Sequence, residues 1–220
     1  CTLNLQRCSV VLRNLPLGSI SYLYLENCYF SSLASIGIAS SLKILRIVNT
    51  SHNFDGDFSE VPSSLKELVL RNVAIDKWPG NLSLNLLQVE RCSSLLTEGE
   101  LSLSGQAKCV VLDHCDLYRL SHEMLANILV LHTTFWTYRL VQLPSITTLA
   151  LHDVKQTLMC LHYQCPFLES LQLRDCRTSH IYGPECLQEL RVSNNNNLIM
   201  CSILLHKFCV GDQVTDSRFT

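Results

Sequence analysis

The chain has 220 residues, of which 47% are hydrophobic and 16% are charged, and its formal net charge is −2. This composition excludes a disordered chain, and a net charge so near zero gives no general attraction to nucleic acid or to an anionic membrane surface. No segment approaches the roughly 20 apolar residues that a membrane-spanning helix needs, and no secretion signal is recognisable at the start.

A leucine-rich unit of the form L-x-x-L-x-L-x-x-C recurs ten times. Other apolar residues replace some of the leucines, and Thr, Val or Asn replaces some of the closing cysteines. A period near twenty residues over the whole chain predicts a stack of similar units, and therefore one elongated domain over residues 1–220. The closing residues of the ten units are Cys8, Cys28, Thr50, Val73, Cys92, Cys115, Thr134, Val154, Cys176 and Asn195.

Alternation of apolar and polar residues within each unit predicts ten short parallel strands, with the leucines pointing into the stack. The return segments between strands have their own apolar residues, such as Phe54 and Phe58, and we expect loops with short helical or 3-10 turns. Residues 121–127 are the best helical candidate, and residues 199–220 are expected to form an irregular closing segment. The predicted strands lie near residues 2–6, 22–26, 44–48, 67–71, 86–90, 109–113, 128–132, 148–152, 170–174 and 189–193.

Five of the twelve cysteines close a repeat, at a position that favours a small buried side chain, so we expect them to be reduced core residues. The other seven show no repeated spacing. Cys160 with Cys165, or Cys201 with Cys209, could pair in an oxidising compartment. We favour a reducing, cytoplasmic location, with an extracellular one as the alternative. The first repeat begins at Leu3 with no polar cap before it, so we expect the chain to be part of a larger protein.

The pattern L-x-x-L-x-L-x-x-N/C resembles the leucine-rich repeat and covers residues 2–198. This resemblance implies an α/β solenoid: an arc with a parallel sheet of about ten strands on its concave face and loops, short helices or 3-10 turns on its convex face. The segment 165–176 is similar to repeats of eukaryotic F-box proteins, and the unequal lengths and Cys endings resemble the sensor regions of plant intracellular immune receptors. The usual closing asparagine is mostly replaced here, which predicts a weaker ladder of side-chain hydrogen bonds.

Residues between the strand leucines should face solvent, yet several in the middle of the chain are apolar. Exposed apolar patches rimmed by charge usually mark partner sites, and Tyr and Arg are typical anchors at interfaces. Alternatively, other regions of the protein cover this patch, or it is strand-forming surface with no role. The apolar residues are Val69, Leu86, Val111, Ile128, Val130 and Ala150, and the flanking residues are Tyr22, Tyr24, Arg46, Arg71 and Arg174.

Asp113, His132 and His152 fall at equivalent positions of three consecutive predicted strands. Side chains there would be about 5 Å apart, near enough to share a metal or a proton. Solvated ion pairs are the commoner outcome for such residues, and a contact sensitive to pH is more plausible than a metal site. We therefore assign no metal and no cofactor.

The sequence contains no phosphate-binding glycine loop, no H-E-x-x-H, no C-x-x-C and no G-x-S-x-G. We therefore expect a non-catalytic interaction module that binds a protein or peptide ligand on the concave face, with no nucleic acid and no membrane as partner. One alternative is the specificity arm of an enzyme complex, such as a ubiquitin ligase receptor. Another is a secreted or cell-surface recognition domain.

Overall fold

The computed structural model describes residues 1–50, 54–78, 82–92, 103–114, 120–132, 143–155, 158–195, 198–201, 207–210 and 213–215. Its architecture is a parallel β-solenoid with little helix. The chain divides into two compact units. Unit 1 comprises Cys1–Lys108 and Arg119–Met124, and unit 2 comprises Cys109–Tyr118 and Leu125–Thr220.

Unit 1 is built on five parallel strands that pair in chain order. The inward leucines of the inner strands are sealed from water, with 0% of Leu23 and of Leu45 exposed, whereas Leu3 and Leu5 of the first strand are half-buried. Alternation produces this arrangement because successive strand side chains point to opposite faces. The five strands are β1 (Thr2–Gln6), β2 (Tyr22–Glu26), β3 (Ile44–Val48), β4 (Glu67–Arg71) and β5 (Ser83–Glu90).

Two long strands, β6 (Leu103–Asp113) and β7 (Leu120–His132), contribute residues to both units. Their C-terminal parts belong to unit 2, where β7 pairs in parallel with β8 (Thr148–His152) and β8 with β10 (Ser170–Arg174).

In unit 2, β10 also pairs with β12 (Glu189–Ser193), and β12 with β14 (Lys207–Val210), both in parallel. The antiparallel strand β15 (Gln213–Thr215) pairs with β14. A second, three-stranded parallel sheet contains β9 (Leu158–Cys160), β11 (His180–Tyr182) and β13 (Ile199–Cys201).

Most strands have the bounds expected from the repeat, but β5, β6 and β7 begin earlier. The prediction of a helix at residues 121–127 is wrong, because this segment lies within β7. A seven-residue helix is marginal on its own, whereas the neighbouring extended strand β6 offers backbone hydrogen-bond partners. The C-terminal segment, predicted to be irregular, contains β13, β14 and β15, since the sheets supply partners there too.

The return segments contain 3-10 turns at Leu12–Asn14, Leu17–Ser19 and Ile36–Ile38. In the part of the chain that the structure describes, the single α-helix is α1 (Leu161–Gln164). No helix among the described residues is long and apolar enough to cross a membrane. The apolar residues of these segments fill the core opposite the sheet, as predicted, and in unit 1 the rings of Phe30, Phe54, Phe58 and Trp78 follow one another at centroid distances of 5.0, 5.6 and 6.4 Å.

In nine repeats among the described residues, the chain turns sharply just after the strand, through a residue with positive φ. Nine such residues are not glycine, and six of them are Asn or Asp, the types that best tolerate this conformation. The turn residues are Arg7, Asn27, Asn49, Asn72, Arg91, His114, Asp153, Asp175 and Asn194, with φ between 49° and 54°.

A ladder of side-chain hydrogen bonds exists, but it lies one residue before the position that the resemblance implies. Asn49 donates to Asn27 over 3.0 Å, Asn72 donates to Asn49 over 2.6 Å, and Asn194 donates to Asp175 over 2.7 Å. Thiols act at the closing position itself, since Cys28 Sγ donates to the carbonyl of Leu5, 3.3 Å away in the preceding turn. Asparagines just before the closing position and thiols at that position therefore both connect neighbouring turns.

The nine cysteines whose side chains are described are free thiols. Of the five that close a repeat, Cys28, Cys92 and Cys176 are buried and Cys8 is half-buried, whereas Cys115 lies outside the described residues. Cys160 and Cys165 are both free, and burial raises the pKa of the Cys165 thiol to about 12. The side chains of Cys201 and Cys209 are outside the described part.

Candidate recognition surface

The twelve predicted binding residues all lie at outward-facing positions of the strands, six in each unit. Parallel pairing in direct register places equivalent residues of successive strands side by side. The unit 1 residues are Tyr22, Tyr24, Arg46, Val69, Arg71 and Leu86, and the unit 2 residues are Val111, Asp113, Val130, His132, His152 and Arg174. The apolar residues predicted to form one patch are accordingly shared between the units.

Arg46 is the central residue of the unit 1 face. Its guanidinium carbon lies 5.8 Å from the centroid of the Tyr22 ring, within the range of a cation–π contact. Its Nη2 lies 3.8 Å from Oε2 of Glu67, a long ion pair. Its Nε is buried and has no hydrogen-bond partner among the described residues. The guanidinium is therefore held in place with part of its donor capacity unused.

The other charged groups of the unit 1 face are paired with each other. Arg71 Nε lies 2.6 Å from Oε2 of Glu90, and Tyr24 Oη donates to Glu26 Oε2 over 3.0 Å. Burial, followed by this bond to Glu26, raises the pKa of the Tyr24 hydroxyl. Such pairing leaves a face of mixed aromatic and charged character with little net charge.

The apolar residues of unit 2 form a compact group on β6, β7 and β8. Ile128 is 39% exposed, and Val111 and Val130 are half-buried. Ala150, in contrast, is only 7% exposed although it occupies an outward position. It lies in register between Val130 on β7 and Gln172 on β10, and these longer side chains shield its methyl group.

Next to this apolar group, three basic side chains occupy one column on consecutive strands. His132 pairs in register with His152, and His152 with Arg174. The two imidazole rings meet edge to face, with their centroids 4.3 Å apart. The pKa of His152 is lowered by burial and by the neighbouring His132 and Arg174, against the opposing effect of Asp175. Burial and like charges therefore favour the neutral form of His152.

Asp113 contacts a histidine outside the column. Its Oδ1 lies 2.6 Å from Nδ1 of the adjacent His114. Over the residues with described positions, no group of three or more His, Cys, Asp or Glu side chains is arranged to hold a metal ion. Asp113 therefore lies beside the basic column and is paired with His114.

Sequence analysis did not identify Glu67, Gln172 and His114 as parts of these surfaces. Glu67 contacts Arg46 diagonally across two strands, Gln172 lies in register beside Ala150, and His114 contacts Asp113 from the next position along the chain. Charge matching between diagonal positions would have identified Glu67, whereas the contact of His114 depends on the turn conformation.

Comparison of the chain with protein-family models, with curated proteins and with solved structures found no match.

Proposed function

We propose that this chain is a non-catalytic recognition module that binds a protein or peptide on the outward face of its strands. The observation that carries the proposal is the apolar group of unit 2, where Ile128, Val111 and Val130 keep exposed surface at positions that strand alternation usually gives to polar residues. The Tyr and Arg residues of unit 1 support it, since these types anchor many interfaces.

We further propose that the solenoid is of the leucine-rich-repeat type, with its strands lining a concave face. Its support is the ten-fold L-x-x-L-x-L pattern together with the positive-φ turn after nine described strands and the side-chain ladder that links several of these turns. A parallel strand face repeated in this way offers a broad surface open to solvent, which suits recognition of an extended or folded partner.

Replacement of Val130 by Arg tests the proposed binding face. The immobilised wild-type chain should enrich partner proteins from an extract of its source organism, as quantified by mass spectrometry. The V130R variant, which has a charge in the middle of the apolar group, should not enrich these proteins. Phe167→Arg is the matched control, because Phe167 is 62% exposed but lies between α1 and β10, away from the strand face. Equal enrichment by the V130R variant would contradict the proposal.

We propose a reducing, cytoplasmic location for the protein. Its support is the set of free cysteines, several of which close repeats where their thiols donate hydrogen bonds to backbone carbonyls. Counting free thiols in denatured protein taken from its native compartment tests this. Twelve free thiols are expected, one for each cysteine in the sequence, and disulfides would contradict the location.

A further inference from the structure

We propose that the unit 2 face binds an extended partner segment of the form apolar-x-Asp or apolar-x-Glu. Its apolar side chain lies over Ala150, and its carboxylate binds to the basic column of His132, His152 and Arg174. This inference rests on the proposed function, since it assigns a ligand chemistry to the same face.

The site for the apolar side chain is a notch in the strand face. Ala150 projects only a methyl group, whereas Val130 and Gln172 stand about 4.8 Å away on either side. Of the strands in the twelve-stranded sheet whose burial is described, β8 alone has three buried central residues, with the burial pattern iBBBi from Thr148 to His152. A side chain of leucine size lying there would contact Val130 and cover part of the 39% exposed Ile128.

The site for the carboxylate is the basic column. Three side chains that can carry positive charge follow one another on β7, β8 and β10 with no acidic residue between them. Arg174 is 60% exposed at its side chain, and its Nε is 3.5 Å from Asp175, beyond an ideal charge-assisted hydrogen bond. The guanidinium is therefore available to a partner's carboxylate.

Three carboxylates near the column contact other groups, and a fourth, Asp153, follows His152 and is exposed. Asp113 contacts His114 at 2.6 Å, and Glu189 contacts Arg191 at 2.8 Å on β12. Asp175, beside Arg174, accepts a 2.7 Å hydrogen bond from Asn194. A partner's carboxylate would therefore compete for the column mainly with Asp175, whose contact with Arg174 is long, and with the exposed Asp153.

The spacing of the two sites determines the form of the ligand. Ala150 and His152 are two residues apart on β8 and face the same way, so their side chains are roughly 7 Å apart. In an extended partner, side chains at positions i and i+2 share a face and have the same separation. An apolar residue and an acidic residue separated by one residue therefore match both sites at once.

Proton uptake should couple to this binding. A carboxylate next to His152 stabilises its protonated form, opposing the effects of burial, His132 and Arg174 on its pKa. The affinity should therefore rise as the pH falls from about 7.5 to about 6, within the range where histidine titrates. The charged groups to be considered in this titration are Asp153, which follows His152, Asp113 and His114 on the β6 side, and Arg174, Asp175, Glu189 and Arg191 on the β10 and β12 side.

The test uses the peptide acetyl-Ser-Leu-Ser-Glu-Ser-amide as the probe, with NMR titration of the ring signals of His132 and His152. We expect saturable shifts and a raised pKa for His152. The peptide with Gln in place of Glu should bind about tenfold more weakly, the loss of roughly one charge-assisted hydrogen bond. The peptide with Ser in place of Leu should be weakened as well.

Protein variants separate the carboxylate site from a nonspecific charge effect. Arg174→Gln should weaken binding of the Leu–Glu peptide, whereas Arg191→Gln, which removes the same charge from a residue already paired with Glu189, should not. Ala150→Leu should fill the notch and weaken binding too. Unchanged histidine signals, or equal shifts with the Glu and Gln peptides, would overturn this inference. The proposed function would survive either result, because it fails only if V130R retains the protein partners.

Discussion

Nδ2 of Asn49 donates a 3.0 Å hydrogen bond to Oδ1 of Asn27, linking the turns that follow β3 and β2. The same Asn49 accepts a 2.6 Å bond from Nδ2 of Asn72 in the next turn. Asn49 also has φ of 53°, a conformation that asparagine adopts more readily than residues with other side chains. A single residue type therefore satisfies the backbone turn and the connection between repeats.

Replacement of Asn49 by Ala should remove both hydrogen bonds. It should also leave the left-handed backbone conformation to alanine, which tolerates it less well than asparagine. We expect a loss of about 2–3 kcal/mol in the free energy of unfolding, measured by urea denaturation. Asn49→Gly keeps the turn comfortable and loses only the bonds, so its loss should be smaller. Similar losses for the two variants would show that the φ value contributes little to the stability. The control is Asn4→Ala at an exposed strand position, which should change the free energy of unfolding by less than about 0.5 kcal/mol.

Phe54 fills the core of unit 1 between Phe30 and Phe58, and only 2% of its surface is exposed. Phe54→Ala should leave a cavity in this aromatic row and cost about 3–5 kcal/mol in the free energy of unfolding. Phe54→Leu retains most of the volume and should cost less. The control is Tyr29→Ala, which should leave no cavity because Tyr29 is 66% exposed. A loss at Phe54 no greater than at Tyr29 would contradict the packing described here.

Asp57 should stay ionised well into the acid range. Its pKa is lowered to about 2 by the hydrogen bond from the Ser59 hydroxyl and then by the bond from Lys77, whose Nζ is 2.9 Å from Oδ2. Because the folded-state pKa lies below the value of the unfolded chain, about 3.9, this contribution to stability is present above pH 4 and is lost as the pH falls towards 2.

Lys77→Met should raise the pKa of Asp57, as followed by the carboxyl carbon signal in an NMR titration. The variant should also show a smaller loss of stability between about pH 4 and about pH 2 than the wild type. Lys66→Met removes an equal charge from the exposed residue before β4 and should leave the titration of Asp57 in place. An unchanged pKa in the Lys77 variant would show that Ser59 alone stabilises the carboxylate.

His152 should also cost the protein stability as the pH falls, but in a higher pH range than Asp57. Its folded-state pKa is lowered, chiefly by burial, so the unfolded chain takes up a proton first as the pH falls. Without ligand, the contribution is constant above about pH 7.5, and stability decreases as the pH falls through the unfolded pKa of about 6.5.

His132→Gln removes one of the two positive neighbours and should raise the pKa of His152 in an NMR titration, although burial should keep it below the ordinary value. His180→Gln is the matched control, since His180 lies on β11 in the second sheet. A shift of His152 as large in the His180 variant would contradict a direct effect of His132.

The positions of the strands could be predicted from the sequence because each leucine pair imposes both a period of two within the unit and a period near twenty between units. Leu45 and Leu68, for example, are fully buried in adjacent strands, as that double period requires. The turn after each strand could not be predicted in this way. Arg7 and Asn27 occupy the same left-handed conformation, so no single residue type identifies the position.

The candidate surface could be predicted only in part. Outward positions such as Val130 and His152 follow from alternation alone, so their placement was accessible from the sequence. Burial of Ala150 was not, because it depends on the lengths of its neighbours Val130 and Gln172. The pairing of Asp113 with His114 likewise depends on the turn at the end of β6, where His114 has φ of 50°.

The backbone conformation at Gly105 and its close approach to Leu82 require glycine inside the long strand β6. Its φ is +119°, and a Cβ at this residue would lie 2.8 Å from the carbonyl oxygen of Leu82 in the neighbouring turn. That oxygen also accepts a 2.8 Å hydrogen bond from the backbone N–H of Gln106, so it cannot move away without losing the bond. Gly105→Ala should therefore combine backbone strain with a steric clash, and we expect a loss of about 2–3 kcal/mol in the free energy of unfolding.

Gly18→Ala provides the matched control. Gly18 lies in the 3-10 turn Leu17–Ser19, where an added Cβ would meet nothing within 4 Å. Alanine there should be neutral or stabilise the protein by up to about 1 kcal/mol, because it restricts the unfolded chain. Urea denaturation of the two variants separates the effects. A Gly105→Ala protein as stable as the wild type would show that β6 can adjust its backbone, and it would remove the close approach to Leu82 as the reason for glycine at this position.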